Sequence, residues 1–148
     1  MKKFSRMIGV TLLEVMLVLA VAAMIIVMSI RYYQSATANQ QVNGTLSLLQ
    51  GIQAGMDSLA GGVRGYDQLT LPGDLVKVMP GDEIRTPWGT EVTVTAGSAT
   101  TYTVTLPSMG GTICDMVSVR LAQDSKWTVP TCSTATQNYQ FTYDSTAS

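Results

Sequence analysis

A run of 21 residues near the N-terminus, from Val10 to Ile30, is apolar except for Thr11, Glu14 and Ser29. As an α-helix this run is about 32 Å long, which is close to the roughly 30 Å hydrocarbon thickness of a bilayer. A buried core helix of this length would need a larger folded body to enclose it on all sides. The sequence therefore predicts a membrane-length helix close to the start of the chain.

The residues on either side of this run are typical of a single membrane span. Three basic residues and no acidic residue occur among the first nine, so the positive-inside rule places that end in the cytoplasm. Arg31 and two tyrosines follow, as at a membrane–water interface. A secretory signal peptide is the alternative, but its apolar region is shorter and ends at a small-residue cleavage site. We expect the remaining residues to lie outside the cytoplasm.

Glu14 is the one charged side chain inside the apolar run. An ionised carboxylate costs about 2.5–3.5 kcal/mol at the centre of a membrane helix and less near the interface, so an intramembrane acid indicates a function by default. The alternative is that Glu14 merely lies at the lipid headgroups near the cytoplasmic end. Glu14 is the main candidate functional residue of the chain.

The string around Glu14 has a more specific pattern. A short basic leader ends at Gly9, the apolar run starts at Val10, and Glu14 is the fifth residue after the glycine. The combination resembles the class III signal of type IV pilins and of the related type II secretion pseudopilins. The resemblance implies that a membrane-embedded prepilin peptidase cuts between Gly9 and Val10 on the cytoplasmic side and methylates the new N-terminus at Val10.

The same resemblance implies a role for Glu14 and Val10 in assembly. Cleavage would create an ammonium group at Val10, about 6 Å along the helix axis from Glu14. A neighbouring copy displaced by a comparable distance could place its ammonium beside this carboxylate. In a low-dielectric setting an unpaired charge is costly and a pair is tolerable, and a buried pair can select one alignment of the chains. We expect Glu14 to guide subunit entry into a helical filament.

The helix is expected to continue beyond the membrane as an amphipathic stem. No proline occurs before Pro72 and no glycine lies between Gly9 and Gly44, so nothing forces a kink. A GxxxG motif at Gly51 and Gly55 lies outside the apolar run and indicates close helix packing or mere tolerance rather than a dimer contact. Hydrophobic residues then recur at helical spacing up to a Gly-Gly pair that can end the helix. They are Val42, Leu46, Leu49, Ile52, Met56 and Leu59.

The remaining residues predict a small antiparallel sheet with one face on the stem. Segments 91–96, 101–106 and 138–143 alternate with the period of a strand, and 127–129 is a short fourth candidate. The apolar spacing between Ile113 and Gln123 permits a short helix, although a strand is also possible there.

The loops of this region carry turn signals. Leu71-Pro72-Gly73-Asp74 and Met79-Pro80-Gly81-Asp82 are turn-like strings. Pro87-Trp88-Gly89 before a strand is similar to a segment that precedes the sheet in type IVb pilins and pseudopilins. Four acidic residues here lack the spacing of an EF-hand and are expected to be solvated turn residues rather than calcium ligands. They are Asp67, Asp74, Asp82 and Glu83.

Cys114 and Cys132 are the two cysteines of the chain. In an exported domain a disulfide between them is expected, and it would contribute about 3 kcal/mol. A buried thiol pair or links between chains are the alternatives. The family places a disulfide near the C-terminus, where it delimits a variable exposed region. The resemblance thus implies such a surface at residues 115–131.

Composition argues against several other functions. Beyond the first nine residues, six basic groups face ten acidic groups, which is not the clustered positive charge of a nucleic-acid surface. The chain has no histidine, and two cysteines are too few for a structural zinc site. The scattered acids form no constellation for acid–base or nucleophilic catalysis. We expect no enzymatic activity, no cofactor, no metal and no direct binding of nucleic acid.

These features predict an α+β pilin fold in which a long N-terminal helix packs on a small antiparallel sheet. Residues 1–9 form a cleaved basic leader, 10–33 a membrane and filament-core helix, 34–60 an amphipathic stem helix, and 61–148 an extracytoplasmic globular domain. The implied function is a structural subunit of a type IV pilus, closer to type IVb, that serves adhesion, motility, DNA uptake or conjugation. A pseudopilin or minor pilin is the alternative.

The resemblance also implies partners and a location. The partners are further copies of the chain, the prepilin peptidase, and an inner-membrane assembly platform with its cytoplasmic ATPase. Before assembly the chain would be a single-pass protein of the inner membrane, and after assembly it would be part of an extracellular filament.

Overall fold

The computed structural model describes residues 11–62, 65–81 and 83–147. The chain divides into two compact units, one up to Thr37 and one from Ala38 onward. In its described part the first unit is helical from Leu12, and the second contains the rest of that helix together with the sheet. The predicted α+β fold class, a long N-terminal helix with a small antiparallel sheet, is confirmed. The predicted leader and the cleavage positions Gly9 and Val10 lie outside the described residues.

The first helix, α1, extends over 51 residues from Leu12 to Gly62. Thr11 precedes it and satisfies amides of the first turn. The Thr11 carbonyl accepts hydrogen bonds from the Glu14 and Val15 N–H groups at 3.0 and 3.2 Å, and the Thr11 hydroxyl accepts a further one from Glu14 at 3.3 Å. The helix ends at the predicted Gly-Gly pair. The absence of proline and the helical spacing of its hydrophobic residues therefore predicted its length correctly.

The sheet has four antiparallel strands in the order β1-β2-β4-β3. Pairing across the central strands sets Tyr102 opposite Tyr143 and Val104 opposite Phe141, while Trp127 in the short edge strand also lies opposite Tyr143. The elements after α1 are a 3₁₀ helix at Tyr66–Gln68, α2 at Gly73–Val78, β1 at Thr93–Ala96, β2 at Thr101–Met109, α3 at Gly111–Leu121, β3 at Trp127–Thr128 and β4 at Gln137–Asp144.

One region of the outer domain differs from the sequence-based expectation, and a second decides between two alternatives that the sequence left open. The predicted turn at Leu71-Pro72 is present, but Gly73 and Asp74 begin α2, because the Asp74 carboxylate accepts the Thr70 N–H at 2.9 Å and stabilises the first helical turn. The segment that could be helix or strand is α3. The second turn-like string ends at Asp82, which lies outside the described residues.

The core lies between the second half of α1 and one face of the sheet. On α1 the buried positions recur at three- and four-residue intervals, and every second residue is buried from Tyr102 to Leu106 on β2 and from Tyr139 to Tyr143 on β4. Each fully buried aliphatic or aromatic side chain contributes about 1.5–3 kcal/mol relative to an exposed one. The central members are Val42, Leu49, Ile52, Met56, Tyr102, Val104, Leu106, Tyr139, Phe141 and Tyr143.

Two glycines of α1 allow close packing against loops of the same unit. A Cβ atom on Gly55 would lie 2.8 Å from Leu75 Cδ1, and one on Gly44 would lie 2.9 Å from Pro87 Cγ. Trp88 beside that proline donates its Nε1–H to the Pro107 carbonyl at 2.9 Å. The glycine of the GxxxG motif therefore serves close helix packing, and the Pro-Trp-Gly segment joins the stem to β2.

An aromatic cluster links α1 to the sheet at one end of the core. Tyr102 has ring-centroid distances of 5.0 Å to Tyr66 and 5.1 Å to Tyr143. Asp57 of α1 accepts the Tyr66 hydroxyl at 2.7 Å, and Gln53 donates to the Tyr143 hydroxyl at 3.2 Å. Within the described residues the Tyr102 hydroxyl is buried and has no hydrogen-bond partner. Two hydroxyls of the cluster are thus satisfied by the stem and one is not.

Replacing Tyr102 and Tyr66 by phenylalanine is expected to have opposite effects. Tyr102→Phe removes an unpaired buried hydroxyl and should leave the free energy of unfolding unchanged or raise it by up to about 1 kcal/mol. Tyr66→Phe removes the hydrogen bond to Asp57 and should lower it by about 1–2 kcal/mol. Urea unfolding of the full chain in detergent, followed by tryptophan fluorescence, measures both. A larger loss for Tyr102→Phe than for Tyr66→Phe would contradict this assignment.

The same tyrosines predict a loss of stability at alkaline pH. Burial raises the pKa of Tyr102 and of Tyr66 above the ordinary value of about 10, and for Tyr66 the hydrogen bond to Asp57 adds to the increase. Above pH 10 the unfolded chain releases these phenolic protons while the folded chain keeps them. The free energy of unfolding should therefore fall as the pH rises, by up to about 1.4 kcal/mol per pH unit for the more deeply buried Tyr102. Tyr102→Phe should reduce this slope by that amount, and an unchanged slope would contradict the prediction.

Candidate assembly surface

The N-terminal part of α1, residues 12–33, is here called the apolar segment. Its 16 large hydrophobic side chains are between 44 % and 80 % exposed. Among residues 12–33 the only side chain that is not classed as exposed is that of Ala22, which is half-buried. The residues that the structure describes therefore leave this surface uncovered.

Hydrophobic side chains occupy every side of the apolar segment. A helix of this kind has no polar face for water and is stable only when it is buried or spans a membrane. The segment is long and apolar enough to cross a membrane, and its most apolar 18-residue stretch has no residue buried among the described parts of the chain, unlike the core helix of a soluble protein. The segment can therefore act as a single-pass membrane anchor.

The serine hydroxyl of the segment is satisfied within α1. Ser29 donates to the Ile25 carbonyl at 2.8 Å, and beyond the segment Thr37 donates to the Tyr33 carbonyl at 2.9 Å. Side-chain bonds of this kind remove the cost of a hydroxyl in an apolar setting. Besides the exposed hydroxyls of Tyr32 and Tyr33, the other polar side chains of the segment are its two charged ones, Glu14 and Arg31.

Glu14 lies in the first turn of α1, where the helix dipole favours a negative charge. It is exposed and borders a shallow groove together with Val15, Val18 and Leu19. The ion pairs found among residues 11–62, 65–81 and 83–147 are Lys77–Asp74 and Arg85–Glu83, so Glu14 takes part in none of them. Its expected partner, the Val10 ammonium of another copy, involves a residue outside the described part of the chain.

Arg31 is the second charged residue of the segment, and the sequence interpretation assigned it only to the membrane interface. It is exposed, it is followed by two exposed tyrosines, and like Glu14 it has no ion-pair partner in the part of the chain that the structure describes. What points to a further role of Arg31 is that it stands apart from other charged residues. Within residues 11–37, Glu14 and Arg31 are the only charged residues.

Cys114 and Cys132 are joined by a disulfide, with their Cα atoms 5.8 Å apart. The bond connects α3 to the segment that precedes β4, so both sulfurs belong to one chain. The enclosed residues 115–131 were expected to form an exposed surface, which is correct for only one face. Asp115, Val119 and Arg120 are exposed, but other residues of this stretch are buried, because α3 is amphipathic and β3 also buries one residue. These are Val117, Ser118, Leu121 and Trp127.

Removal of this disulfide is expected to lower the free energy of unfolding by about 3 kcal/mol, because the open loop gains conformational entropy in the unfolded chain. The double variant Cys114→Ser and Cys132→Ser can be compared with the wild type by urea unfolding in detergent. Reduction of the wild type under the same conditions should reproduce the loss. A difference below about 1 kcal/mol would contradict a structural role of this bond.

Two acidic residues of the outer loops, Asp74 and Glu83, have partners within the chain. Asp74 accepts hydrogen bonds from Lys77 and from the Thr70 amide, which lower its pKa below the ordinary value. Glu83 pairs with Arg85. Within the described ranges no group of three or more possible ligands lies together in a way that could hold a metal ion. These contacts give the carboxylates a local structural role.

Comparison with known proteins does not assign a family to this chain, because no protein-family model and no curated protein matches it. The fold and the surface define an α+β protein with a long N-terminal helix, apolar in its first half, an antiparallel sheet and one disulfide. This combination is compatible with the pilin fold.

Proposed function

We propose that this chain is a structural subunit of a type IV pilus, closer to type IVb, that polymerises through its N-terminal helix into a helical surface filament. The observation that carries the proposal is the uncovered apolar segment with its single carboxylate, Glu14. A simple membrane anchor would explain the length and the hydrophobicity of the segment. It would not explain a charge that costs free energy on insertion.

The apolar segment needs a covering in two settings. Before assembly, lipid tails cover it and the chain is held in the inner membrane. During assembly the segment exchanges lipid for the helices of other copies, so its hydrophobic surface stays out of water throughout. The second half of α1 packs on the sheet within each subunit, so the outer domain stays folded on its stem in both settings.

Glu14 favours the exchange of lipid for other copies of the chain. The carboxylate is tolerated in the bilayer near the cytoplasmic interface, and it gains a cationic partner when the ammonium at Val10 of a neighbouring copy comes beside it. Cleavage between Gly9 and Val10 by the prepilin peptidase is required to create that ammonium. Extraction from the membrane draws on a cytoplasmic ATPase acting through an inner-membrane platform. The chain itself contributes structure rather than catalysis.

The N-terminus of the chain in material sheared from cells tests this proposal. Mass spectrometry and N-terminal sequencing should find a chain that starts at N-methylated Val10 and contains one disulfide. Retention of Met1 in assembled filaments would contradict the proposal. Filaments composed mainly of this chain identify a major subunit, whereas a few copies per filament identify a minor pilin or pseudopilin.

A further inference from the structure

The apolar segment contains an acid and a base that cannot neutralise each other within one chain. Glu14 and Arg31 are both exposed, and neither forms an ion pair in the described ranges of the chain. They are 17 residues apart, which is about 25 Å along the axis of an α-helix. A salt bridge needs about 4 Å between nitrogen and oxygen. No residue that the structure describes pairs with either side chain, so a second copy of the chain is the candidate source of their partners.

We propose that Arg31 of one copy pairs with Glu14 of a second copy that is displaced by about 25 Å along the helix axis. This pairing presupposes the proposed filament. In the bilayer, Arg31 lies where water and headgroups can solvate it. In the interior of a filament those groups are excluded, and an unpaired guanidinium would carry a desolvation cost of several kcal/mol. In a parallel copy, Glu14 is the one acid available along residues 11–37.

The spacing of the two charges also determines how the copies are related. Each residue of an α-helix turns the side-chain direction by about 100°. After 17 residues, the side chain therefore points about 100° away from the direction of the first one. For Arg31 to face Glu14, the second copy must therefore be rotated by about 80° as well as shifted. Rotation with translation is a screw operation, and a contact of this heterologous kind does not close on itself. The pairing thus favours an open helical polymer over a closed dimer.

An antiparallel arrangement would satisfy both charges in a closed dimer. It would require the two helices to cross the membrane in opposite directions, and the same basic leader orients every copy in the same way. The parallel, displaced arrangement is therefore the one that remains for copies that enter a filament from one membrane.

Pairing with Arg31 does not exclude the expected contact between Glu14 and the Val10 ammonium. An ionised carboxylate has two oxygens with about four acceptor sites, and a guanidinium donates in a planar fork that fits one edge of it. The displacements differ, at about 6 Å for the ammonium and about 25 Å for Arg31. Each Glu14 would therefore be contacted by two different neighbours.

Cysteine crosslinking in assembled filaments tests the 17-residue displacement. Val18 and Ser35 lie one helical turn beyond Glu14 and Arg31 and keep the same spacing, and the native cysteines are already paired. In the double variant Val18→Cys and Ser35→Cys, oxidation should link each subunit to two neighbours. Non-reducing electrophoresis should then show a ladder of dimers, trimers and higher oligomers. Each single variant should give dimers at most.

The matched control keeps one cysteine and changes the displacement. Val18→Cys combined with Val27→Cys has a spacing of nine residues, so its sulfurs would lie about 12 Å out of register and should give no ladder. Filaments that form without a ladder at the 17-residue spacing, or with an equal ladder in the control, would overturn the Arg31–Glu14 pairing and leave the filament itself intact. A wild-type chain that forms no filaments would instead overturn the proposed function.

Charge variants of Arg31 give an independent readout that does not depend on cysteines. Arg31→Gln removes the charge and should reduce filament yield at least about tenfold, because Glu14 loses a partner in a desolvated interface. Arg31→Lys keeps the charge and should stay within about threefold of the wild type, although it loses the planar fork. Equal yields for the wild type and Arg31→Gln, at equal membrane levels, would contradict the pairing.

Discussion

Replacing Glu14 with alanine is expected to reduce the yield of sheared filament at least about 100-fold, without lowering the amount of chain in the membrane. Breaking a desolvated ion pair costs about 3–5 kcal/mol, which corresponds to a factor of 100 or more in an association equilibrium. The same substitution removes an insertion cost of about 2.5–3.5 kcal/mol or less. If Glu14 had no role beyond the anchor, Glu14→Ala would therefore be neutral or favourable.

The control for this variant is Leu13→Ala, at an adjacent position that is also exposed. It removes apolar surface from the same turn and leaves the charge in place, so filament yield should stay within a fewfold of the wild type. Quantitative immunoblots of the sheared and the membrane fractions measure both variants. A Glu14→Ala yield equal to that of Leu13→Ala would remove the role of the carboxylate in assembly.

Gly111→Ala is expected to destabilise the outer domain by at least about 4 kcal/mol, which is beyond the usual range of single substitutions. A Cβ atom at this position would lie 1.8 Å from the Ser133 carbonyl oxygen and 3.0 Å from Thr134 Cα. Both contacts are with backbone, so no flexible side chain can move aside. The Tyr139 hydroxyl holds that backbone, since it accepts the Ser133 N–H at 3.0 Å and donates to the Ser133 carbonyl at 3.0 Å.

Gly61→Ala is the matched control, because a Cβ atom there meets nothing within 4 Å. It lies near the end of α1 and should leave stability unchanged or raise it by up to about 1 kcal/mol through helix propensity. Urea unfolding of both variants in detergent, followed by tryptophan fluorescence, measures the difference. A Gly111→Ala protein within about 1 kcal/mol of the wild type would show that the segment after the disulfide can move away.

Features that depend on local pattern were predictable from the sequence. The length of α1 follows from hydrophobic spacing without a breaker, and β4 follows from the alternation of Tyr139, Phe141 and Tyr143. Both patterns report directly which side of an element is buried. The predictions of the stem helix and of the sheet face that packs on it were accordingly correct.

Features that depend on contacts between distant segments were not predictable. The register of β2 shifts between Leu106 and Met109, and Ser108 within this irregularity has a φ of 55° and donates its N–H to the Asn138 side chain at 3.1 Å. The need for glycine at Gly111 arises from Ser133, which is 22 residues away in the chain. A single sequence contains no local signal for such approaches.

In the candidate assembly surface, too, one residue was predictable from the sequence and the role proposed for another was not. Glu14 was identified because a charge in an apolar run is costly wherever the run is placed. Arg31 was assigned to the interface because its neighbours are tyrosines. The proposed pairing of Arg31 depends on its 17-residue spacing from Glu14, which is met only between two copies. That spacing became relevant because both side chains are exposed.

A density map of the assembled filament, at a resolution that shows side chains, tests most directly whether copies of this chain cover one another's apolar segments. We predict that residues 12–33 are enclosed by the helices of neighbouring subunits and that each Glu14 carboxylate lies within about 4 Å of a cationic group from another copy. A filament in which these residues face solvent, or in which Glu14 faces no cation, would contradict the account.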